Sequence, residues 1–361
     1  LAYTVIQSQN GDETRSRTLT TSRAWDYSAP AYPDQDGYVA PGGWSTQAAN
    51  ILALPEVSDR GYCLDLRCGN GHFAYELARQ SSYVIIAVED TQAEVDAARQ
   101  FLTDRGVYGS RVTVILATDL SDLPFETNTF NLVVSQSQIE NSGSYSDLVT
   151  EATPLTKPGR GVVAGINGAG AAATVKSEAA GTDTWTSQYS NPGNSGANQD
   201  ELGGKSSINE FELNWIGRPG PEIVIDRMVR APSPLNANGR FYCQGLGRVL
   251  ALDSHNGCVL WSKEVRDLRR LNMIRDASNM NAADEGLYLA VRNKCWLLAG
   301  DDGKRTTYDV IDGSNAELDY HWGYVCRTGD QLLGSATSHE AFFKKYWGQT
   351  FWFDAQSGPQ T

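Results

Sequence analysis

The sequence predicts an α/β plus all-β protein, in which a doubly wound parallel sheet is followed by a unit of short repeated strands. Between residues 62 and 166, short apolar runs alternate with helix-length segments, as expected when helices cover both faces of a parallel sheet. After about residue 181 the predicted strands are separated by polar turns. Turn glycines Gly257, Gly303 and Gly358 lie 46 and 55 residues apart, near the length of one four-stranded propeller blade.

The composition is that of a globular protein with an acidic surface. The chain has 361 residues, which is enough for two separate cores. Its 30 Lys plus Arg and 43 Asp plus Glu give a net charge of -13, which disfavours binding to nucleic acid. No apolar run approaches the ~20 residues needed to cross a bilayer. We therefore expect no nucleic-acid partner and no transmembrane segment.

The predicted organisation has three parts. Residues 1–45 are polar and interrupted by prolines, so we expect an irregular segment. Residues 46–180 are the predicted α/β domain, in which the Gly and Ala stretch from Gly165 to Gly181 is expected to be a frayed end and a linker. Residues 181–361 are the predicted partial β-propeller. Its third repeat stops at Thr361, so we expect the natural protein to continue.

Each element of the α/β domain has its own signal. Apolar runs of strand length predict strands at 62–66, 84–88, 112–116, 131–135 and 161–166. Helices are expected at 73–79, at 146–153 and between Thr91 and Gly106. In the last of these, Thr91 and Glu94 form a capping box, and three apolar residues share one face, namely Val95, Ala98 and Leu102.

Several polar features converge at the carboxyl edge of this sheet, where ligands bind in doubly wound folds. Asp65 ends the first strand, and the loop Gly69-Asn70-Gly71 allows close approach to backbone amides. Glu89 ends the second strand, and its carboxylate can accept both hydroxyls of a ribose. After the third strand, Asp119 can accept an adenine amino group and Leu120 can pack on the ring. The sequence thus predicts an adenosyl-shaped cleft.

Five motifs follow one another along residues 50–166. They are Asp65-Leu66-Arg67-Cys68-Gly69-Asn70-Gly71, Val88-Glu89, Asp119 with Asp122-Leu123-Pro124-Phe125, Phe130 to Ser135, and Lys157-Pro158-Gly159. This series resembles class I S-adenosylmethionine (SAM) methyltransferases. The resemblance implies a Rossmann-like methyltransferase fold with SAM as cofactor, and the candidate cofactor-binding residues are Asp65, Cys68, Gly69, Asn70, Gly71, Glu89, Asp119, Leu120 and Ser135.

The resemblance also assigns parts of the cofactor to individual residues. Gly69 and Gly71 would face its methionine part, Glu89 its ribose, and Asp119 with Leu120 its adenine. Two departures from the family pattern stand out. Arg67 replaces a small Gly and is expected to crowd the aminoacyl end of the cofactor or to distort the loop. The usual Phe-Asp pair is Phe130-Asn131.

The all-β half carries a second pattern, with Asp253, Gly257 and Trp261 in the first repeat and echoes at residues 297–303 and 353–358. Asp favours such turns, Gly supplies a positive φ, and Trp buries a large area between stacked sheets. The pattern resembles pyrroloquinoline quinone (PQQ)-type propellers, in which this Trp packs on the neighbouring blade. We expect no bound PQQ, because no ligand cluster for the quinone and its metal is present. The opening of this half, with Asn214-Trp215-Ile216-Gly217, also resembles large planctomycete-type bacterial proteins that fuse a methyltransferase-like domain to such a propeller.

Two functions remain open. In the first, the chain is a SAM-dependent methyltransferase in the cytoplasm, and its propeller docks an unknown small molecule or protein. In the second, both halves are interaction scaffolds of an exported protein that has lost the cofactor. No catalytic residue or methyl acceptor can be assigned. The six Cys and four His are scattered, so no metal site is predicted.

Overall fold

The computed structural model describes residues 2–9, 12–20, 38–120, 122–141, 143–168, 170–211, 213–217, 232–245, 247–265, 268, 279–309 and 320–338. At the amino end, β1 (Ala2–Gln9) and β2 (Asp12–Thr20) pair as an antiparallel hairpin. Our expectation of an irregular segment over residues 1–45 was therefore wrong for this part. A polar hairpin is held by backbone hydrogen bonds, which leave no apolar signature in the sequence.

The α/β domain contains a six-stranded mixed sheet. Its elements in chain order are α1 (Trp44–Leu52), β3 (Arg60–Leu66), α2 (His72–Gln80), β4 (Ser82–Glu89), α3 (Gln92–Asp104), β5 (Val112–Leu116), β6 (Leu132–Ser135), α4 (Gln136–Asn141), α5 (Tyr145–Ala152), β7 (Val162–Asn167) and β8 (Gly170–Val175). The strand order is β5-β4-β3-β6-β7-β8, with β8 antiparallel to β7 and the other pairs parallel. All five predicted strands are present.

The β8 strand corrects the prediction of a linker between Gly165 and Gly181. It pairs with β7 from Asn167 and Gly170 to Val162 and Val175. Its alanines Ala171 and Ala173 pack on the hydrophobic core that α1 also contributes to, because short side chains leave room for a helix to approach. The backbone ladder stabilises this edge strand, and its Gly and Ala content concealed it.

The sheet has a hydrophobic core on each face. One core contains Phe73, Tyr75 and Leu77 of α2, and the other contains Leu64, Phe130 and Leu148. The α3 helix begins as predicted, because the Thr91 hydroxyl oxygen accepts a hydrogen bond from the Glu94 amide at 3.3 Å. Its predicted apolar face is fully buried, namely Val95, Ala98 and Leu102. Within the described residues, no helix has both the length and the apolar character required to cross a membrane.

The second half consists of consecutive antiparallel sheets. The first contains β9 (Leu235–Ala237), β10 (Arg240–Gly245), β11 (Arg248–Asp253) and β12 (Val259–Glu264). The second contains β13 (Met280–Ala283), β14 (Gly286–Val291), β15 (Lys294–Ala299) and β16 (Arg305–Asp309), and a hairpin of β17 (Tyr320–Thr328) and β18 (Gln331–Ser338) follows. The first two predicted repeats coincide with the β11–β12 and β15–β16 turns. The third, at 353–358, lies outside the described residues.

The first of these sheets docks on the amino edge of the α/β sheet. A guanidinium nitrogen of Arg60 donates to the Leu260 carbonyl oxygen at 2.7 Å, and the Asn131 amide donates to the Asp253 carboxylate at 2.9 Å. Lys157 and Asp253 form a buried ion pair. Next to these contacts is a cavity of about 410 Å³ between the two halves. The first antiparallel sheet is thus fixed at the edge opposite the carboxyl ends of the parallel strands.

Candidate functional site

The carboxyl ends of the central strands meet as the sequence predicted. Leu66 at the end of β3 is paired with Val88 of β4 on one side and with Ser135 of β6 on the other. Glu89 is paired with Leu116, the last residue of β5. The loops that follow β3, β4, β5 and β6 therefore lie along one edge, at the point where the strand order reverses.

Asp65 is completely buried at this edge. One of its carboxylate oxygens accepts a hydrogen bond from the Gln136 amide nitrogen at 2.9 Å, and the other has no hydrogen-bond partner among the described residues. The pKa of Asp65 is raised to about 7, mainly by burial and in smaller part by the nearby charge of Glu89, while the Gln136 hydrogen bond lowers it. The second carboxylate oxygen of Asp65 is thus a buried acceptor that receives no hydrogen bond from the described residues.

The loop after β3 has the left-handed backbone that favours glycine, with φ of 54° at Arg67, 52° at Gly69 and 77° at Gly71. A side chain at Gly71 would meet Leu102 of α3 at 3.3 Å, and one at Gly69 would meet the side-chain nitrogen of Gln136 at 2.8 Å. Both glycines thus combine a positive φ with protein neighbours close to the position of an added side chain. Cys68 is buried in the core behind the loop.

Arg67 adopts a left-handed backbone conformation, with a φ of 54°. A left-handed conformation at a non-glycine residue costs about 1–2 kcal/mol. The guanidinium of Arg67 lies against Glu151 of α5, with two nitrogen-to-oxygen hydrogen bonds of 2.9 and 3.1 Å. This bidentate pair holds the side chain on the α5 side of the loop.

Glu89 lies directly against the glycine loop. One carboxylate oxygen accepts from the Gly69 amide at 2.7 Å and the other from the Asp90 amide at 2.9 Å. Each oxygen retains a further lone pair, so the carboxylate can still accept ribose hydroxyls. The carboxylates of Glu89, Asp90 and Glu94 also lie within 4.8 Å of one another, which makes this corner of the edge strongly acidic.

The remaining predicted residues occupy different positions along the edge. The loop of Asp119 is tied to β4, because the Ala117 amide donates to the Glu89 carbonyl oxygen at 2.9 Å. Asp119 is exposed, and Leu120 is half-buried against the core that contains Leu66 and Val88.

Asn70 and Ser135 make local hydrogen bonds. The Asn70 side chain is exposed and accepts from the His72 amide at 3.4 Å. Ser135 is buried, and its hydroxyl oxygen accepts from the Gln138 amide at 3.3 Å. Asp65, Gly69, Asn70 and Glu89 therefore lie in or beside the glycine loop. The Ser135 hydroxyl instead accepts a hydrogen bond from the first turn of α4.

Gln136 is a residue that the sequence analysis missed. Its side-chain oxygen accepts from the Phe73 amide at 3.1 Å, in the first turn of α2, and its side-chain nitrogen donates to the Asn70 side chain at 3.3 Å. Gln136 thus bridges the glycine loop, the start of α2 and, through its backbone, Asp65. Its position directly after the predicted strand 131–135 was the one available signal.

Comparison with known proteins agrees with this architecture. Residues 63–159 match the methyltransferase domain family. No curated protein matches the chain at a significant level.

Solved structures also align with part of the chain. A candidate S-adenosyl-L-methionine-dependent methyltransferase from Methanococcus maripaludis aligns at 23% identity over 34% of this chain and 53% of that one, with a TM-score of 0.30. The [4+2]-cyclase SpnF aligns at 25% identity over 33% and 43%, with a TM-score of 0.29. Geranyl diphosphate C-methyltransferase from Streptomyces coelicolor aligns at 19% identity over 34% and 44%, with a TM-score of 0.29. The chain spans about half the length of the structures that it matches.

Proposed function

We propose that the carboxyl edge of the α/β domain binds SAM and that this domain is a SAM-dependent methyltransferase. The observation that carries the proposal is the position of Glu89. Its carboxylate accepts from the Gly69 amide at 2.7 Å, and its backbone carbonyl oxygen accepts from Ala117 in the loop that carries Asp119. The loops after β3, β4 and β5 thus carry a glycine turn and two acids along one edge of the sheet, which supports the proposal. The family match over residues 63–159 supports the same function.

The residues present fit the two ends of SAM. Glu89 and Asp119 can hold the ribose and the adenine as acceptors, with Leu120 beside the ring. The unpaired oxygen of Asp65 is suited to an ammonium donor, which would also favour its ionised form. When bound, SAM supplies an electrophilic methyl group. The chain's own contribution is to orient the cofactor and the acceptor, since methyl transfer can be accelerated by positioning alone.

A second candidate function is a non-catalytic scaffold, and Gln136 favours it. Its side-chain amide bridges the Phe73 backbone amide and the Asn70 side chain, and its backbone amide donates to the buried carboxylate of Asp65. In this alternative the side chain is a permanent replacement for the aminoacyl part of a lost cofactor. In the enzyme it rotates away when SAM binds.

For the second half, we propose blades of a PQQ-type propeller that serve as a docking platform for a small molecule or protein. The two four-stranded sheets and their repeated turns support this assignment. The described sheets contact the α/β domain at Arg60, Asn131 and Lys157 of its amino edge. A docked partner would therefore bind on the far side of the domain from Glu89.

Isothermal titration of the full chain with SAM distinguishes the two functions. The enzyme predicts binding that Glu89→Gln weakens at least tenfold, while Glu94→Gln, a neutralisation in the same acidic corner, leaves it within about twofold. The scaffold predicts no heat at millimolar SAM from the wild type. If the wild type gives no heat and Gln136→Ala does, the Gln136 side chain is what prevents SAM from binding. Arg67→Gly tests in the same way whether the Arg67 side chain prevents it.

A further inference from the structure

The cavity between the two halves is lined by charged side chains from both of them. Its volume of about 410 Å³ is within the range of small-molecule sites. Arg60 and Arg160 line it from the α/β domain, and Arg240, the first residue of β10, lines it from the second half. Apolar side chains also form part of the wall, namely Pro55, Val57, Val175 and Leu260. The cavity thus combines guanidinium groups with an apolar surface.

Arg60 and Asp59 form a complete ion pair at this cavity. Arg60 Nε donates to one carboxylate oxygen of Asp59 at 2.8 Å, and Nη2 donates to the other at 3.0 Å. This is the side-on arrangement in which a guanidinium and a carboxylate share two parallel hydrogen bonds. The Nε and Nη2 donors of Arg60 therefore already have their carboxylate.

Arg240 has only half of the same arrangement. Its Nη2 donates to a carboxylate oxygen of Asp301 at 2.8 Å, and its Nη1 donates to the Asp284 carbonyl oxygen at 2.9 Å. Its Nε has no hydrogen-bond partner among the described residues, although the side chain is only 4% exposed. Because a buried N–H without an acceptor is destabilising, this donor indicates an oxygen that comes from outside the chain.

The guanidinium of Arg240 is held in one position. A side chain at Gly300 would meet the guanidinium carbon at 2.5 Å and Nε at 2.6 Å, so the group lies directly on the Gly300 backbone. Gly300 is fixed in turn, because its carbonyl oxygen accepts from the indole nitrogen of Trp261 at 2.9 Å. A donor that is fixed in advance loses little freedom when a ligand binds.

The charges next to Arg240 are not balanced. The Asp301 oxygen that accepts from Arg240 also accepts from Arg160 at 2.5 Å, so two positive groups share one negative group. The other acids that line the cavity are paired with their own cations or exposed, namely Asp59, Asp253 and Glu56. A local excess of positive charge, in a chain whose net charge is -13, favours an anion at this place.

We propose that this cavity binds a small organic carboxylate through Arg240 and Arg160. One carboxylate oxygen accepts from Arg240 Nε and the other from Nη2, as Asp59 does on Arg60, and the apolar part of the ligand lies on Val57 and Leu260. Asp301, which is 70% exposed, moves toward solvent to make room. The ligand thus bridges the two halves of the chain.

This inference does not rest on the function proposed for the carboxyl edge of the α/β domain. A chain that binds the carboxylate but no SAM would retain this site and lose that function. A carboxylate is favoured over a phosphoryl group, because its planar pair of oxygens matches the Nε and Nη2 donors of one guanidinium.

The test is isothermal titration of the full chain with sodium hexanoate, a carboxylate with an apolar tail. We expect binding in the millimolar range or tighter, and none from hexanamide, which has the same shape without the charge. Asp301→Asn removes the competing carboxylate and should tighten hexanoate binding at least about fivefold. Asp302→Asn neutralises the next exposed acid and should leave the affinity within about twofold.

Two further variants test the donors. Arg240→Lys keeps the positive charge but has no Nε, and it should weaken binding at least about tenfold. Arg160→Met should weaken it at least about threefold, and urea unfolding shows whether each variant is folded. Four results would each overturn the proposal: no heat from either the wild type or Asp301→Asn, equal binding of hexanamide, unchanged affinity in folded Arg240→Lys, or tighter binding of inorganic phosphate than of hexanoate.

Discussion

The ion pair between Lys157 and Asp253 gives the sharpest test of how the two halves are joined. The two side chains are only 5% and 1% exposed. Removing one partner of a buried pair costs about 3–5 kcal/mol, because the other charge is left without compensation. Asp253 would keep two donors, the Asn131 amide at 2.9 Å and the His255 backbone amide at 3.0 Å. We therefore expect Lys157→Met to lower the free energy of unfolding by about 3 kcal/mol.

A double-mutant cycle separates the pair from its surroundings. Asp253→Asn keeps the oxygen that accepts from His255 but removes the buried negative charge. Combined with Lys157→Met, it leaves no buried charge, so we expect a coupling energy of about 2 kcal/mol or more. The matched control is Arg160→Met in the same cavity. Arg160 is half-buried and its partner Asp301 is exposed, so the loss of this pair should cost less than about 1 kcal/mol.

Urea unfolding followed by far-ultraviolet circular dichroism and by tryptophan fluorescence measures these changes. The two probes together show whether the halves unfold in one transition, which a single free energy requires. A loss below about 1 kcal/mol for Lys157→Met, or additive single variants, would refute the view that this pair secures the junction.

Three further predictions concern Asp65, Trp261 and Gly71. Because the pKa of Asp65 is raised, the native state retains a proton that the unfolded chain releases, and the contribution of Asp65 to stability falls as the pH rises from 3.8 to about 7. Asp65→Asn should flatten this fall in calorimetric Tm values measured between pH 5 and 8. Tm values of the variant that fall in parallel with those of the wild type would contradict this prediction. Trp261→Phe loses the hydrogen bond to Gly300 and part of the ring. It should lower the free energy of unfolding in urea by about 1–3 kcal/mol, and a loss no larger than that of a surface substitution would contradict this prediction. Gly71→Ala combines a φ of 77° with a 3.3 Å contact to Leu102 and should lower the Tm more than the control Gly43→Ala, which has a φ of 80° and open space around it. Equal losses of Tm would show that the contact with Leu102 adds nothing.

The sequence was sufficient for the five parallel strands of the α/β domain, because strands buried on both faces leave continuous apolar runs. It was also sufficient for the start of α3, where Thr91 and Glu94 form a local cap. It was insufficient for β8, whose Gly and Ala residues are held by backbone pairing with β7. Edge strands of this kind have no periodic signal to detect.

The candidate site also has features that the sequence predicts and features that it does not. The position of Glu89 beside the loop follows from parallel topology alone. The direction of the Arg67 side chain depends on Glu151, which is 84 residues away. The Gln136 bridge depends on a side-chain conformation that no spacing rule gives.

The departure at Asn131 has a physical explanation that only the assembled halves provide. Its side-chain nitrogen donates to Asp253 at 2.9 Å, while its oxygen accepts from Asn256 at 2.7 Å and from the Tyr62 amide at 2.9 Å. An aspartate at this position would face Asp253 without a proton to donate. The amide thus matches a carboxylate that comes from the other half of the chain.

The contacts of Asp253 with Lys157 and Asn131 limit how the two halves can be separated or exchanged. A fragment cut at residue 180 would leave the ammonium of Lys157 without its counter-ion, and a foreign repeat unit would have to place an acid in register with both Lys157 and Asn131. A chimaera that preserves this junction must therefore carry the turn around Asp253 together with the α/β domain.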